Sequence, residues 1–120
     1  MRIVNPLAKK GEDMATAYLK KKGYQIVERN FRRGYGEIDI IAVKDNTLVF
    51  IEVKTRTSNK FGSPLEAITP WKLASLTKTA QFYKVLHPHF PDSMRIDAIA
   101  IYINQQSGKE EIEHSKNILS

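Results

Sequence analysis

The chain has no cysteine, which excludes a disulfide-stapled scaffold and a cysteine zinc site and fits a reducing compartment. No apolar run approaches the roughly 18 residues that span a bilayer. The opening stretch MRIVNPLAKKGED carries no apolar core of signal-peptide length before its charges. A soluble, cytoplasmic protein without a membrane partner is therefore expected. Internal repeats, low-complexity tracts and linkers are also missing, so residues 1–120 are expected to form one domain. Histidine is scarce: His87 and His89 flank Pro88 in a turn, His114 is far along the chain, and the three make no metal set. With 42% hydrophobic and 27% charged residues the composition is globular rather than disordered.

Charge is present in excess of one sign, and unevenly. Residues 1–33 carry nine Lys and Arg against Glu12, Asp13 and Glu28, while the remainder holds ten of each sign. A basic third beside a neutral, acid-containing remainder suits a polyanion, because phosphate contacts dominate nucleic-acid affinity. A solubilising face is the other reading.

Asn5-Pro6 forms a helix start, with Asn as cap and Pro in the first helical position. The helix is predicted to run to about Lys22 and to stop at Gly23. Residues 24 to 31 read as a strand. GEIDIIAV and LVFIEVKT then alternate around Asp45-Asn46 as a hairpin. Residues 63 to 66 have the form of a capping box, and Thr69-Pro70 begins a longer helix to about Leu86. Arg95 to Ile103 is a strand buried on both faces, and Glu110 to His114 is a short edge strand. The expected fold class is α/β, in the order α-β-β-β-α-β, with a mixed sheet flanked by helices.

A two-residue turn at Asp45-Asn46 sets Val43 opposite Leu48, Asp39 opposite Glu52 and Glu37 opposite Lys54. Glu37, Asp39, Glu52 and Lys54 then share one face. Ile38, Ile40 and Ala42 lie against Val49, Ile51 and Val53 on the other. Directly opposed carboxylates repel, and a divalent cation such as Mg²⁺, held by one or two carboxylates, gives them a reason to be there. Lys54 points to the same site and could orient water or neutralise charge on a phosphate. Glu12 could hold a second metal or metal-bound water; a favourable place near a helix start explains it equally well. Arg32, Arg33, Arg56 and Lys60 read as loop residues around the hairpin mouth, either phosphate clamps or solvated surface. Lys9 and Lys10 belong to the basic third, and Lys72 is a cation misplaced at a helix N-terminus. Trp71, Phe82 and Tyr83 read as core, with base-stacking platforms as the other reading. Arg95 and Asp97 read as a pair at the entrance of their strand.

Asp39, twelve residues and then Glu52-Val53-Lys54 resemble the D…(D/E)-X-K signature of the PD-(D/E)XK, or restriction-endonuclease-like, nucleases. GEDMATAYLKKKGY, GEIDIIA, VFIEVKTR, FGSPLEAI and RIDAIAI together resemble the YraN family of small bacterial proteins, itself similar to archaeal Holliday-junction resolvases. Ile38 stands where the superfamily name places proline. The resemblance implies a restriction-endonuclease-like core and a nuclease using Mg²⁺ or Mn²⁺ on DNA, including branched DNA. It makes Glu12 the helix acid, Asp39 and Glu52 metal ligands, Val53 a ligand through its carbonyl, and Lys54 the catalytic lysine. Two-fold dimerisation follows from the likeness to resolvases. A non-catalytic nucleic-acid-binding protein that retains the fold is the rival reading.

Overall fold

The computed structural model describes residues 5–34, 36–57 and 68–119. The Asn5 side chain accepts from the Leu7 and Ala8 amides and opens α1 (Pro6–Lys21), and Gly23 follows its end at φ 91°. Three strands come next: β1 (Gln25–Arg33), β2 (Gly36–Lys44) and β3 (Thr47–Arg56). Asp45 and Asn46 both take positive φ (49° and 57°), as a type I′ hairpin turn requires. The Thr69 side chain caps α2 (Pro70–Leu86), which precedes β4 (Met94–Ile103) and β5 (Glu110–Ser115). The order is that expected from the sequence, with the edge strand added at the end. Residues 63 to 66, read as a capping box, and Lys60 lie outside the described residues. Among the described residues no helix is long and apolar enough to cross a membrane.

The five strands lie in the order β1-β2-β3-β4-β5, antiparallel except for β3 and β4, which run parallel across the α2 crossover. α1 covers one face, packing Ala15 and Leu19 on Ile40, Ala42, Val49, Ile51, Ile99 and Ile101. α2 covers the other, packing Leu76, Ala80 and Tyr83 on Phe31, Ile41, Leu48, Phe50 and Ile96. Central strands covered on both sides explain the near-continuous apolar run of β4.

Two departures from regular alternation shape one end of the sheet. Ile38 packs with the α2-side cluster although Ile40 and Ala42 pack on the α1 side. This corrects the expectation that all three share a face. Opposite this slip, between the pairs Arg29–Ile40 and Phe31–Ile38, Asn30 takes a left-handed φ of 56°. The β2–β3 ladder follows the expected register from Lys44–Thr47 to Ile40–Ile51 and ends there. Direct backbone pairing of Asp39 with Glu52 and of Glu37 with Lys54 therefore does not form. The Val53 amide donates to Asp39 Oδ2 at 2.7 Å instead, so a side chain takes the place of the next ladder bond.

Arg95 and Asp97 pair at the start of β4, at 3.0 Å, and Asp97 is fully buried. It also accepts from the Asn117 amide and meets His114 Nε2 at 2.8 Å, while His114 Nδ1 lies 3.1 Å from the Tyr18 hydroxyl. Arg95 also donates to the Tyr24 hydroxyl. Burial alone would raise the Asp97 carboxyl, but donors from His114, Arg95 and Asn117 hold it below the usual carboxylate range. The network ties α1, β4 and the β5 edge together.

Gly11 sets the approach of α1 to the sheet. A Cβ there would lie 2.9 Å from Thr55 Cβ and 3.0 Å from its Cγ2, so rotating the threonine cannot clear the space. Gly11→Ala gains about 1 kcal/mol of helix propensity against an overpacking cost of about 1–3 kcal/mol. The expected outcome is a lower urea midpoint, largely restored by adding Thr55→Gly. A single variant more stable than the parent would contradict this contact.

Candidate active site

The interrupted hairpin and the first half of α1 enclose a cleft of about 390 Å³, lined by Glu12, Glu37, Asp39, Glu52, Val53, Lys54, Arg56 and Lys72 among others. β3 supplies Glu52 and Lys54, with Val53 between them turned to the α1-side core. β2 supplies Asp39, and the close contact at Gly11 brings in Glu12 from α1. Lys72 enters from α2.

Glu52 is 5% exposed. Its Oε1 lies 3.5 Å from Lys54 Nζ and its Oε2 lies 3.7 Å from Lys72 Nζ. Among the described residues Oε2 is buried without a hydrogen-bond partner, and the Lys72 contact is too long to be one. Asp39 is pushed up to about 7, first by burial and then by the negative charge of Glu52; the Val53 amide opposes this, and Glu12 and Glu37 add to it. Several acids in one low-dielectric cleft thus resist joint ionisation.

A hard divalent cation fits this donor set. The donors are carboxylate oxygens, one of them buried and unsatisfied, and Mg²⁺ takes one or two carboxylates while keeping waters and substrate phosphates. Among the described residues no three His, Asp or Glu side chains are gathered into a ready-made cage.

The predicted residues separate into two groups. Glu12, Asp39, Glu52, Val53, Lys54, Arg56 and Lys72 line the cleft. Lys9 and Lys10 lie on α1 and are engaged elsewhere, Lys9 with Asp13 at 2.9 Å and Lys10 with Glu110 at 3.4 Å. Arg32 pairs with Glu37 at 2.8 Å, and the Arg33 guanidinium lies over the Phe31 and Phe82 rings. Arg32 and Arg33 end β1 and Arg56 ends β3, so none of the three is a loop residue.

Two features escaped the sequence reading. Arg29 reaches across from β1 to Glu12 at 3.3 Å and to Asp13 at 2.7 Å, and so holds the helix acid against the sheet. Charge counting registers Arg29 but cannot see a partner on another element. Trp71, expected in the core, is 87% exposed.

Fold and cleft together define a mixed α/β domain with an acidic cleft at the open end of a β-hairpin. The chain belongs to the uncharacterised protein family UPF0102, whose model matches residues 11–101, a span that holds Glu12, Asp39, Glu52 and Lys54. A UPF0102 protein of Syntrophomonas wolfei is 47% identical over 107 residues, covering 89% of this chain and 91% of the relative. One from Chloroherpeton thalassium is 48% identical over 97 residues, covering 81% and 75%. Among solved structures, Pyrococcus furiosus SfsA in complex with Ca²⁺ aligns with a TM-score of 0.39 and 14% identity. That alignment covers 90% of this chain and 63% of the SfsA chain.

The raised Asp39 carboxyl has a stability consequence. Between its ordinary value of 3.8 and about 7 the folded state holds a proton that the unfolded state releases. The contribution of Asp39 is therefore present at low pH and lost as pH rises through that window. In chelator, the stability of Asp39→Asn relative to the parent should increase from pH 4 to pH 7.5 in urea titrations. A difference that does not change with pH would contradict the assignment.

Proposed function

We propose that the cleft is the active site of a Mg²⁺- or Mn²⁺-dependent nuclease that hydrolyses DNA phosphodiester bonds. The observation that carries this reading is Glu52, a buried carboxylate with one oxygen unsatisfied among the described residues, beside the half-buried Asp39. Asp39 and Glu52 would hold the ion, with the Val53 carbonyl and Glu12 as further donors. When bound, the ion would polarise a phosphoryl oxygen and make hydroxide available near neutral pH.

The chain's own residues account for the rest of the chemistry. Lys54, beside Glu52 Oε1, would orient the attacking water and offset charge building on the phosphate. Lys72 sits at the other oxygen of the same carboxylate. Its ammonium can turn to a substrate phosphate once Glu52 is engaged by the ion. Arg56 lines the same cleft, and Lys9, Lys10, Arg32 and Arg33 would extend a basic approach through exchange of their present partners for backbone phosphates. Branched DNA and a two-fold dimer are the substrate form and assembly that the resolvase resemblance favours.

The test is incubation of supercoiled plasmid, linear duplex and four-way-junction DNA with Mg²⁺ or Mn²⁺. Glu52→Gln and Lys54→Ala should each reduce cleavage by roughly a hundredfold or more, while DNA binding in chelator is kept. Cleavage by Glu52→Gln at the parent's rate would contradict the assignment. Binding without metal-dependent cleavage in the parent would favour the non-catalytic reading.

A further inference from the structure

We infer that Trp71 is a stacking platform for an unpaired base, set beside the acidic cleft so that the site engages single-stranded or locally opened nucleic acid. The inference rests on reading the cleft as a phosphodiester site, which supplies the phosphate whose neighbouring base would reach the indole.

Trp71 is the chain's one tryptophan and stands 87% exposed in the first turn of α2. Tryptophan is usually well covered, so an indole this open is an informative departure. It borders a shallow hollow of about 490 Å³ shared with Thr69, Lys72, Ala74, Ser75 and Lys78. Lys72 also lines the acidic cleft, where its ammonium lies 3.7 Å from Glu52 Oε2. One side chain thus joins the aromatic hollow to the candidate catalytic carboxylate. A flat ring next to ammonium groups is the pattern that binds single strands, with bases stacking on the ring and phosphates meeting the cations. A duplex interior keeps its base faces stacked on one another and offers none to Trp71.

A second copy of the chain is the competing occupant, and the face argues against it. Val85, also exposed, lies two heptads along α2 from Trp71, about 21 Å by helical rise. Lys78 and Gln81 stand between them, so the two apolar side chains form no continuous surface.

The single tryptophan makes the test direct. The full chain in chelator is titrated with oligothymidylate and with a blunt duplex of equal length while its intrinsic fluorescence is followed. Oligothymidylate should quench Trp71 to saturation, and the duplex should quench it little. By anisotropy of a labelled oligonucleotide, Trp71→Ala should weaken binding roughly ten- to hundredfold, and Trp71→Phe should recover most of the loss. Equal affinity of Trp71→Ala and the parent, or equal quenching by duplex, would overturn the inference. So would a parent dimer that Trp71→Ala dissociates. Chelator removes cleavage from the measurement, so the two readings fail separately. Quenching in a protein that does not cut DNA with Mg²⁺ would remove the nuclease reading and leave the platform. Cutting with unchanged Trp71→Ala affinity would do the reverse.

Discussion

Asp39 and Glu52 are held by backbone geometry in one low-dielectric cleft, where two ionised carboxylates repel strongly and neither can be fully hydrated. The chain tolerates this at neutral pH in the two ways open to it. Asp39 keeps its proton to an unusually high pH, and Lys54 and Lys72 stand at the two oxygens of Glu52. Neither fully satisfies the acids, since among the described residues Glu52 Oε2 still lacks a hydrogen bond. Perturbed carboxylates tend to mark working sites, and the proposed cation is the partner that would relieve this one.

The rest of the structure can be read as the means of producing that cleft. The slip at Asp39, matched by the left-handed Asn30 on the neighbouring strand, ends the β2–β3 ladder one residue short of the acids. The freed Val53 amide turns to Asp39 and fixes its carboxylate. β3 loses no support from the break, because it continues along β4 through Glu52–Ala98 and Lys54–Ala100. Gly11 lets α1 lie close on Thr55, and Arg29 anchors Glu12 from below. Burial of apolar surface on both faces of the central strands supplies the stability against which this local electrostatic cost is carried.

The elements were legible in the sequence because their signals are local. Asn5-Pro6, Asp45-Asn46, Thr69-Pro70 and Gly23 each act through their own backbone, and period-2 alternation marks the hairpin. That Asp39 and Glu52 reach the same end of the hairpin followed from the turn, but their direct pairing did not, because the ladder ends at Ile40–Ile51. The slip at Ile38 was not legible, because alternation gives no sign of a bulge until a second strand and a helix decide which face a side chain takes. The partners of the basic residues were also hidden. Lys10 with Glu110 and Arg29 with Glu12 join residues that only the tertiary fold brings together. Trp71 was assigned to the core by hydrophobicity alone, which does not distinguish the covered face of α2 from its open one.

The proposed function depends on the two acids sharing one cation. The most direct measurement is a crystal structure of the full chain soaked in Mn²⁺ at a pH above 7, with anomalous difference density collected at the manganese edge. The account predicts a single strong peak in the cleft within coordinating distance of both Asp39 and Glu52 carboxylates. Saturating Mn²⁺ that leaves this cleft without a peak, or that binds only elsewhere on the surface, would contradict it.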